Sequence, residues 1–159
     1  MVLHRELTDQ GFSLSNVNKE DFNAFYSISR ECYEKYVDEY FGGWIENFQL
    51  KMNTDSFEGA MKKSTYKKIL LNDEIVGFFS FDELNDKVDG VSIHMTKKAR
   101  NKGIGTFYLN YITSISDKSK KPILLRVFKS NPAYNLYKRF GFEVYDNTDS
   151  HYLMRYDPT

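Results

Sequence analysis

The sequence predicts a single α/β (α+β) domain over residues 1–159, with a mixed, mostly antiparallel sheet of about six to seven strands and about four flanking helices. Short strand-like runs alternate with longer runs of helical periodicity. Two of the strand-like runs are separated by only two residues, which is typical of a β-hairpin. The chain has 159 residues and is 41% hydrophobic, enough to form one core but not a second of ordinary size.

The first part of the chain predicts one strand and two helices. Phe12–Asn16 forms the strand, and Asn18 with Asp21 three residues later resembles a capping box at the start of a helix. Helical spacing then continues to about residue 36 through Phe22, Phe25, Ser29, Cys32 and Tyr36. The Gly42-Gly43 pair interrupts it. We expect a second short helix over 44–52 and a loop or frayed helix over the polar stretch 53–64.

The middle and end of the chain supply the remaining strands. Residues 66–71 and 74–82 are strand-like and are joined by Asn72-Asp73, a two-residue hairpin signal. Residues 84–89 form a polar turn. Val88–Met95 alternates as a half-buried strand does, with one face formed by Val91, Ile93 and Met95 and the other by Ser92, His94 and Thr96. Residues 123–128, 143–145 and 152–155 complete the sheet.

A glycine-containing loop lies between this strand and the next helix. It reads Arg100-Asn101-Lys102-Gly103-Ile104-Gly105-Thr106, and an apolar helical stripe begins at Ile104. Two glycines without side chains let the N–H groups of the helix start approach an anion, and the helix dipole favours its negative charge. The loop lacks the Lys-Ser or Lys-Thr of a Walker A motif, and Tyr108 stands where a dinucleotide fingerprint needs its third glycine.

A second motif follows the strand at 123–128. It reads Asn131-Pro132-Ala133-Tyr134-Asn135-Leu136-Tyr137-Lys138-Arg139-Phe140-Gly141-Phe142. Asn131 is a good N-cap, and Pro132 suits the first helical turn. Ala133, Leu136, Tyr137 and Phe140 form an apolar stripe, and Gly141 ends the helix.

Together the two motifs resemble those of the GNAT superfamily of N-acetyltransferases. That family carries Arg-x-x-Gly-x-Gly at its coenzyme A pyrophosphate loop and Asn-Pro-Ala-x-x-Leu-Tyr-x-x-x-Gly-Phe about 25 residues later. The resemblance covers roughly residue 88 to the C-terminus. It implies an acetyl-CoA-dependent N-acetyltransferase with no metal, which acetylates a primary amine of a small molecule or peptide by direct transfer in a ternary complex.

The resemblance also implies which residues act. The loop residues Arg100, Asn101, Lys102, Gly103, Ile104, Gly105 and Thr106 would bind the pyrophosphate of coenzyme A. The strand residues Ile93, His94 and Met95 would pair with the pantetheine arm and hold the thioester through backbone N–H groups, and Asn131 would contact that arm. Tyr137 matches the tyrosine that commonly protonates the departing thiolate.

The acceptor side is predicted less directly. In the family it is lined by the region between the first two helices, which here holds Tyr33, Tyr36, Tyr40, Phe41, Trp44 and Phe48 among Glu34, Asp38, Glu39 and Glu46. One interpretation is an acidic, aromatic pocket for a cationic amine that includes Tyr33, Trp44 and His151. The other is that most of the rings are core and the carboxylates form a solvated face.

The general base is left open by the sequence. Some members of the family use a glutamate on the fifth strand, where this chain has Arg126. The remaining candidates are His94, His151, a carboxylate among Glu34, Glu39 and Glu46, or a water molecule.

Other functions are disfavoured by composition. Lysine plus arginine and aspartate plus glutamate number 22 each, so the zero net charge argues against the reading of Lys97, Lys98, Arg100 and Lys102 as a nucleic-acid patch. We expect no metal site, because His4, His94 and His151 are far apart in sequence, and we expect Cys32, the single cysteine, to pack in the core.

Residues 1–12 contain no apolar run for a signal peptide or membrane span, so we expect a cytoplasmic protein. The main alternative function is a catalytically silent domain that binds coenzyme A as a sensor or partner module. The sequence leaves open whether the protein forms a homodimer.

Overall fold

One seven-stranded sheet runs through the computed structural model, which describes residues 1–159. The strands are β1 (Phe12–Asn16), β2 (Thr65–Leu71), β3 (Glu74–Glu83), β4 (Val88–Met95), β5 (Ile123–Phe128), β6 (Glu143–Asn147) and β7 (His151–Tyr156). Their order is β1-β2-β3-β4-β5-β7-β6. Every neighbouring pair is antiparallel except β4 and β5, so the prediction of a mixed, mostly antiparallel sheet is confirmed.

Helices cover both faces of the sheet. They are α1 (Arg5–Thr8), α2 (Phe22–Phe41), α3 (Glu46–Ala60), α4 (Ile104–Ser119) and α5 (Ala133–Arg139). The larger core cluster joins the sheet to α1, α4 and α5, and the smaller one joins it to α2 and α3. None of the helices is both long enough and apolar enough to cross a membrane.

The two helices after β1 are longer than predicted. The capping box of Asn18 and Asp21 is present, but α2 continues past residue 36 to Gly42, whose φ of 80° ends it. The prediction of a loop or frayed helix from residue 53 is wrong, because α3 continues to residue 60. Its polar residues are buried together: the Ser29 hydroxyl donates to Asn53 Oδ1 at 2.7 Å, and Asn53 Nδ2 donates to the Gln49 carbonyl at 2.8 Å. Because polar residues occupy these buried positions, this part of α3 lacks the apolar periodicity from which a helix is predicted.

The predicted hairpin between β2 and β3 is confirmed. Asn72 and Asp73 have φ of 49° and 68°, and positive φ at both positions is what a type I′ turn requires. Asn and Asp tolerate this region better than most residues.

A short helix that the sequence analysis missed supports the glycine loop. Leu7 of α1 is only 4% exposed, and a Cβ added to Gly103 would lie 3.4 Å from its side chain. Gln10, just after α1, donates a hydrogen bond to the Lys102 carbonyl at 3.2 Å. The N-terminal segment therefore packs against the glycine loop and supports it.

The parallel strands β4 and β5 separate almost at once. They are paired at Val88 and Ile123 and at no later position. Beyond that point β4 carries an extra residue relative to β3, because Ser92 lies opposite Ser80 while Asp89 lies opposite Asp82. This is a bulge, and Gly90 within it has φ of 61°. The resulting gap opens the middle of the sheet to a ligand.

Candidate active site

A cavity of about 1480 Å³ occupies the gap between β4 and β5. It runs from the glycine loop at the start of α4 to the space between the sheet and the helices α2 and α3. Both sequence motifs line it, and so do residues of the α2 to α3 region. The structure thus brings together segments that lie more than a hundred residues apart in the chain.

The glycine loop presents the start of α4 to this cavity. Gly103 has φ of 106° and Asn101 has φ of 59°, both in the left-handed region. Ile104 is 1% exposed and its side chain lies in the core, so only its backbone can reach a ligand. Asn101, Gly103, Gly105 and Thr106 line the cavity, where unpaired N–H groups of the helix start favour an anion.

Arg100 is anchored rather than free. Its Nε donates to the Met95 carbonyl at 2.8 Å, and its Nη2 lies 3.5 Å from Cys32 Sγ. The guanidinium therefore ties the loop to the end of β4 and to α2 while it still lines the cavity. Cys32 is buried, as predicted, and burial raises the pKa of its thiol. Lys102 does not line the cavity, and Lys98 is ion-paired with Glu74.

The edge of β4 that faces the gap is formed by the backbone of Ile93 and Met95. The Thr96 N–H bonds to the Val76 carbonyl at 2.8 Å, and a Cβ added to Gly77 would lie 2.6 Å from the His94 carbonyl oxygen. The backbone of His94 and Thr96 is thus directed toward β3. Because directions alternate along a strand, Ile93 and Met95 are directed toward the gap.

Tyr137 places its hydroxyl in the cavity from α5. The residue is 7% exposed, and its hydroxyl makes no hydrogen bond within the protein. Burial raises its pKa to about 12, so the hydroxyl keeps its proton at neutral pH. Asn131, which also lines the cavity, accepts a hydrogen bond from the Ala133 N–H at 2.9 Å and caps α5 as predicted.

The His94 side chain lies deep on the α2 side of the cavity. Its ring centroid is 5.4 Å from that of Phe25, 5.6 Å from that of Tyr33 and 5.9 Å from that of Phe78. Neither ring nitrogen has a hydrogen-bond partner in the protein. Burial lowers the pKa of His94 to about 4, so the imidazole is neutral and is too weak a base to take a proton efficiently from an ammonium ion.

A second aromatic cluster surrounds Phe128, which the sequence analysis did not single out. Its ring centroid is 4.1 Å from that of His151, 5.0 Å from that of Tyr36 and 5.8 Å from that of Tyr40. His151 Nδ1 lies 2.7 Å from Ser150 Oγ. Burial, and then the positive charge of Arg126, lower the pKa of His151. The sequence did contain one signal for Phe128: residues two apart on a strand lie on the same face, so Phe128 shares a face of β5 with Arg126.

The aromatic residues from Tyr33 to Phe48 lie mostly on α2 and α3 and divide into two groups. Tyr36 is 5% exposed and belongs to the interior, whereas Phe41 and Phe48 are 60% and 58% exposed at the cavity mouth. Trp44 also lines the mouth, and the Arg30 guanidinium lies 5.2 Å from the centre of its ring. Neither of the two interpretations from sequence therefore holds for all of these residues.

The predicted acidic character of this pocket is wrong. Glu34 and Glu46 both form ion pairs with Arg30, at 3.0 and 2.8 Å, and Glu39 accepts a hydrogen bond from Ser130. None of these carboxylates lines the cavity. The charged residues that do line it are five cations and one carboxylate: Lys35, Lys63, Arg100, Arg126, Arg139 and Asp82.

Lys63 is the lining residue that sequence reasoning missed entirely. It follows α3, and its Nζ donates to Ser80 Oγ at 3.1 Å and to the Gly90 carbonyl at 2.8 Å. Burial lowers its pKa. No motif surrounds this lysine, so the sequence held no signal for it. The structure brings no three His, Cys, Asp or Glu side chains together as a metal site.

Comparison with known families matches this architecture. Residues 22–142 match the profile of the acetyltransferase (GNAT) family. Comparison with curated protein sequences gives no match.

Solved structures share the fold. The PaiA N-acetyltransferase from Thermoplasma acidophilum in complex with coenzyme A superposes with a TM-score of 0.70 at 17% identity, over 92% of this chain and 98% of that one. The ribosomal-protein-S18-alanine N-acetyltransferase from Escherichia coli gives 0.66 at 16% identity, over 93% and 94% of the two chains. The N-acetyltransferase PseH from Campylobacter jejuni gives 0.56 at 18% identity, over 94% and 99%.

Proposed function

The chain belongs to the acetyltransferase (GNAT) family, and we propose that it transfers the acetyl group of acetyl-CoA to a primary amine by direct transfer in a ternary complex. The acceptor is a small molecule or a peptide. The observation that carries this proposal is the Tyr137 hydroxyl, which has no protein partner and lies in the cavity between the glycine loop and the α2 to α3 side. The likeness to a protein crystallised with coenzyme A supports the choice of donor.

Coenzyme A would lie in the gap between β4 and β5. The N–H groups from Gly103 to Thr106 would bind the pyrophosphate at the start of α4. The backbone N–H groups of Ile93 and Met95 would pair with the pantetheine arm, while Asn131 approaches it from α5. The Met95 carbonyl already accepts hydrogen bonds from Arg100 Nε and from Cys32 Sγ, so it is not free to pair with the arm.

The transfer itself needs a neutral amine, a polarised thioester carbonyl and a proton for the leaving thiolate. Backbone N–H groups of β4 would stabilise the oxyanion that forms when the amine adds to the carbonyl. Collapse of that intermediate breaks the C–S bond, and Tyr137 donates its proton to the sulfur. The proton that the attacking nitrogen loses as the amide forms then restores the Tyr137 hydroxyl, whose pKa is raised by burial. No covalent enzyme intermediate is required, which agrees with the raised pKa of the buried Cys32 thiol.

Tyr33, Trp44 and His151 would contact the acceptor. Tyr33 lies between the rings of His94 and Phe128, at 5.6 and 6.2 Å, and all three proposed contacts line the cavity. His151 is the better placed of the two cavity histidines to receive the amine proton, because it is only partly buried and its Nδ1 is oriented by Ser150. The cytoplasmic location stays a prediction.

Replacement of one hydroxyl tests the proposal. Tyr137→Phe keeps the ring and should lower kcat about 10²-fold or more while the affinity for acetyl-CoA barely changes. Tyr134→Phe, on the same helix but outside the cavity lining, is the matched control. Full activity in the Tyr137 variant would leave this residue as core only. A protein that binds acetyl-CoA but acetylates no amine would favour the sensor or partner module instead.

A further inference from the structure

The acceptor end of the cavity carries cations that form no direct ion pair. Of the five cations that line the cavity, Arg100 and Arg139 belong to the two motif segments at the coenzyme end. Lys63 and Arg126 instead flank the bulge of β4. The one lining carboxylate, Asp82, accepts a hydrogen bond from the Ser64 N–H at 3.0 Å and makes no ion pair.

Lys63 is held by neutral oxygens alone. Its ammonium group has three N–H donors, and Ser80 Oγ and the Gly90 carbonyl take two of them. No carboxylate lies within 4.0 Å of it: the charges of Asp82 and Asp89 act on it from a greater distance, and Asp89 is itself paired with Lys87 at 3.5 Å. Burial outweighs these two charges and lowers the pKa of Lys63, so an anion in direct contact would stabilise the ammonium group.

Arg126 approaches the same bulge from the opposite strand. It lies on β5 and lines both the main cavity and a smaller adjoining cleft of about 320 Å³, which also contains Gly90, Val91 and the ion pair of Lys87 with Asp89. Its guanidinium makes no hydrogen bond or ion pair within the protein, and its side chain is exposed at the cavity mouth. It is therefore available to a ligand that Lys63 binds from the other side.

Neutral polar groups complete the inner wall. Three of them lie side by side across β2, β3 and β4, because Tyr66 pairs with Ser80 and Ser80 pairs with Ser92. The Tyr66 hydroxyl is buried without a partner. The His94 ring, in a residue that is only 8% exposed, also has no partner for either nitrogen. Buried groups of this kind are normally satisfied, so they point to a polar ligand in this part of the cavity.

We propose that the acceptor is an amine that also carries an anionic group, a carboxylate or a phosphate, and that Lys63 and Arg126 bind this group beside the bulge of β4. The inference rests on the proposed acetyl transfer and specifies its substrate class. It replaces the cationic acceptor expected from sequence, since a second ammonium group would face unpaired cations here.

The same charges assist the chemistry. Positive charge beside a bound ammonium ion favours its neutral form, which is the form that attacks the thioester. The anionic group of the acceptor thus supplies affinity, while Arg126 and Lys63 help the amine to lose its proton. This lessens the demand on a strong general base, which neither cavity histidine provides.

Matched pairs of amines test the proposal. Standard amino acids would be compared with their carboxamides, and phosphoethanolamine with ethanolamine, by following the release of free coenzyme A thiol. We expect kcat/KM to favour the charged member by about 10-fold or more in at least one pair, since a hydrogen bond to a charged group contributes on that scale. The pair with the larger ratio distinguishes a carboxylate from a phosphate.

Substitution of Lys63 then locates the effect. Lys63→Met should abolish the preference for the charged member, and Lys63→Arg should keep part of it. Lys62→Met, at the exposed neighbouring lysine, is the matched control and should behave as the parent. Acetyl-CoA affinity, measured by calorimetry, reports that each variant is folded.

The outcomes separate the anion site from the transferase activity. Equal kcat/KM for both members of every pair in the parent would overturn the anion site and leave the transferase intact. If no amine turns over, the same pairs are titrated by calorimetry into the protein saturated with coenzyme A. Binding of a charged member that is lost in Lys63→Met would then support the site and overturn the proposed transferase, whereas no binding would overturn both.

Discussion

The buried His94 predicts an acid sensitivity that can be worked out from its surroundings. Burial lowers the pKa of this histidine from 6.5 to about 4 in the folded protein. In the unfolded chain the ring is in water and takes a proton as the pH falls below about 6.5. The folded protein cannot take that proton until the pH approaches 4. The contribution of His94 to the free energy of unfolding is therefore fully present above pH 6.5, and it is lost as the pH falls toward the folded pKa.

The magnitude follows from the two pKa values. A difference of about 2.5 units corresponds to about 3 kcal/mol of unfolding free energy once the pH is below both values. Between pH 8 and pH 5 the loss due to His94 should be about 2 kcal/mol. His94→Phe keeps an aromatic ring among Phe25, Phe78 and Tyr33 but cannot bind a proton, so this part of the pH dependence should disappear.

Chemical denaturation followed by circular dichroism between pH 5 and pH 8 measures the effect. His4→Gln, which removes an exposed histidine, is the matched control for the loss of one imidazole. A smaller slope should remain in His94→Phe, because the pKa of His151 is also lowered by burial and by Arg126. If His94→Phe loses as much stability on acidification as the parent, or if the His94 ring titrates near 6.5 by NMR, the reasoning is refuted.

Three further substitutions have defined outcomes. Gly105→Asp should weaken acetyl-CoA binding by about 10-fold or more relative to the isosteric Gly105→Asn, because only the former places negative charge where the pyrophosphate would bind; equal affinities by calorimetry would contradict this. Gly77→Ala should destabilise the protein by about 1–3 kcal/mol in denaturant titrations, since its Cβ would lie 2.6 Å from a carbonyl oxygen, whereas Gly59→Ala has open space and should not destabilise. His151→Ala should raise KM for the acceptor or lower kcat without a change in acetyl-CoA affinity, and the parent rate should rise with pH through a titration below 6.5. A variant that retains the parent pH profile would exclude His151 as the base.

Local signals explain what the sequence predicted well. The hairpin at Asn72 and Asp73, the glycine loop and the cap at Asn131 each depend on residues within a few positions of one another. Backbone preference and neighbouring hydrogen bonds determine such features, so they can be read from a short stretch of sequence. The resemblance that these motifs carry supported the mixed, mostly antiparallel sheet, whereas the order of its strands comes from the structure.

Long-range pairing explains what was missed. Arg30 takes the charges of Glu34 and Glu46, so carboxylates that looked available in sequence do not contribute to the pocket. Lys63 reaches Gly90 across 27 residues, and nothing near it in sequence marks it as part of a site. The extent of α3 was hidden in the same way, because Ser29 satisfies Asn53 from a different helix.

The early separation of β4 and β5 changes how the sheet should be viewed. An open sheet has two edges, but this one has two more in its middle, because the strands part after a single bridge at Val88 and Ile123. Unpaired N–H and C=O groups at an edge invite an added strand. An extended pantetheine arm has amide groups that would pair with both edges. Bound coenzyme A would therefore act as an additional strand between two parts of the sheet, which the bridge at Val88 and Ile123 and the shared core cluster hold together in its absence.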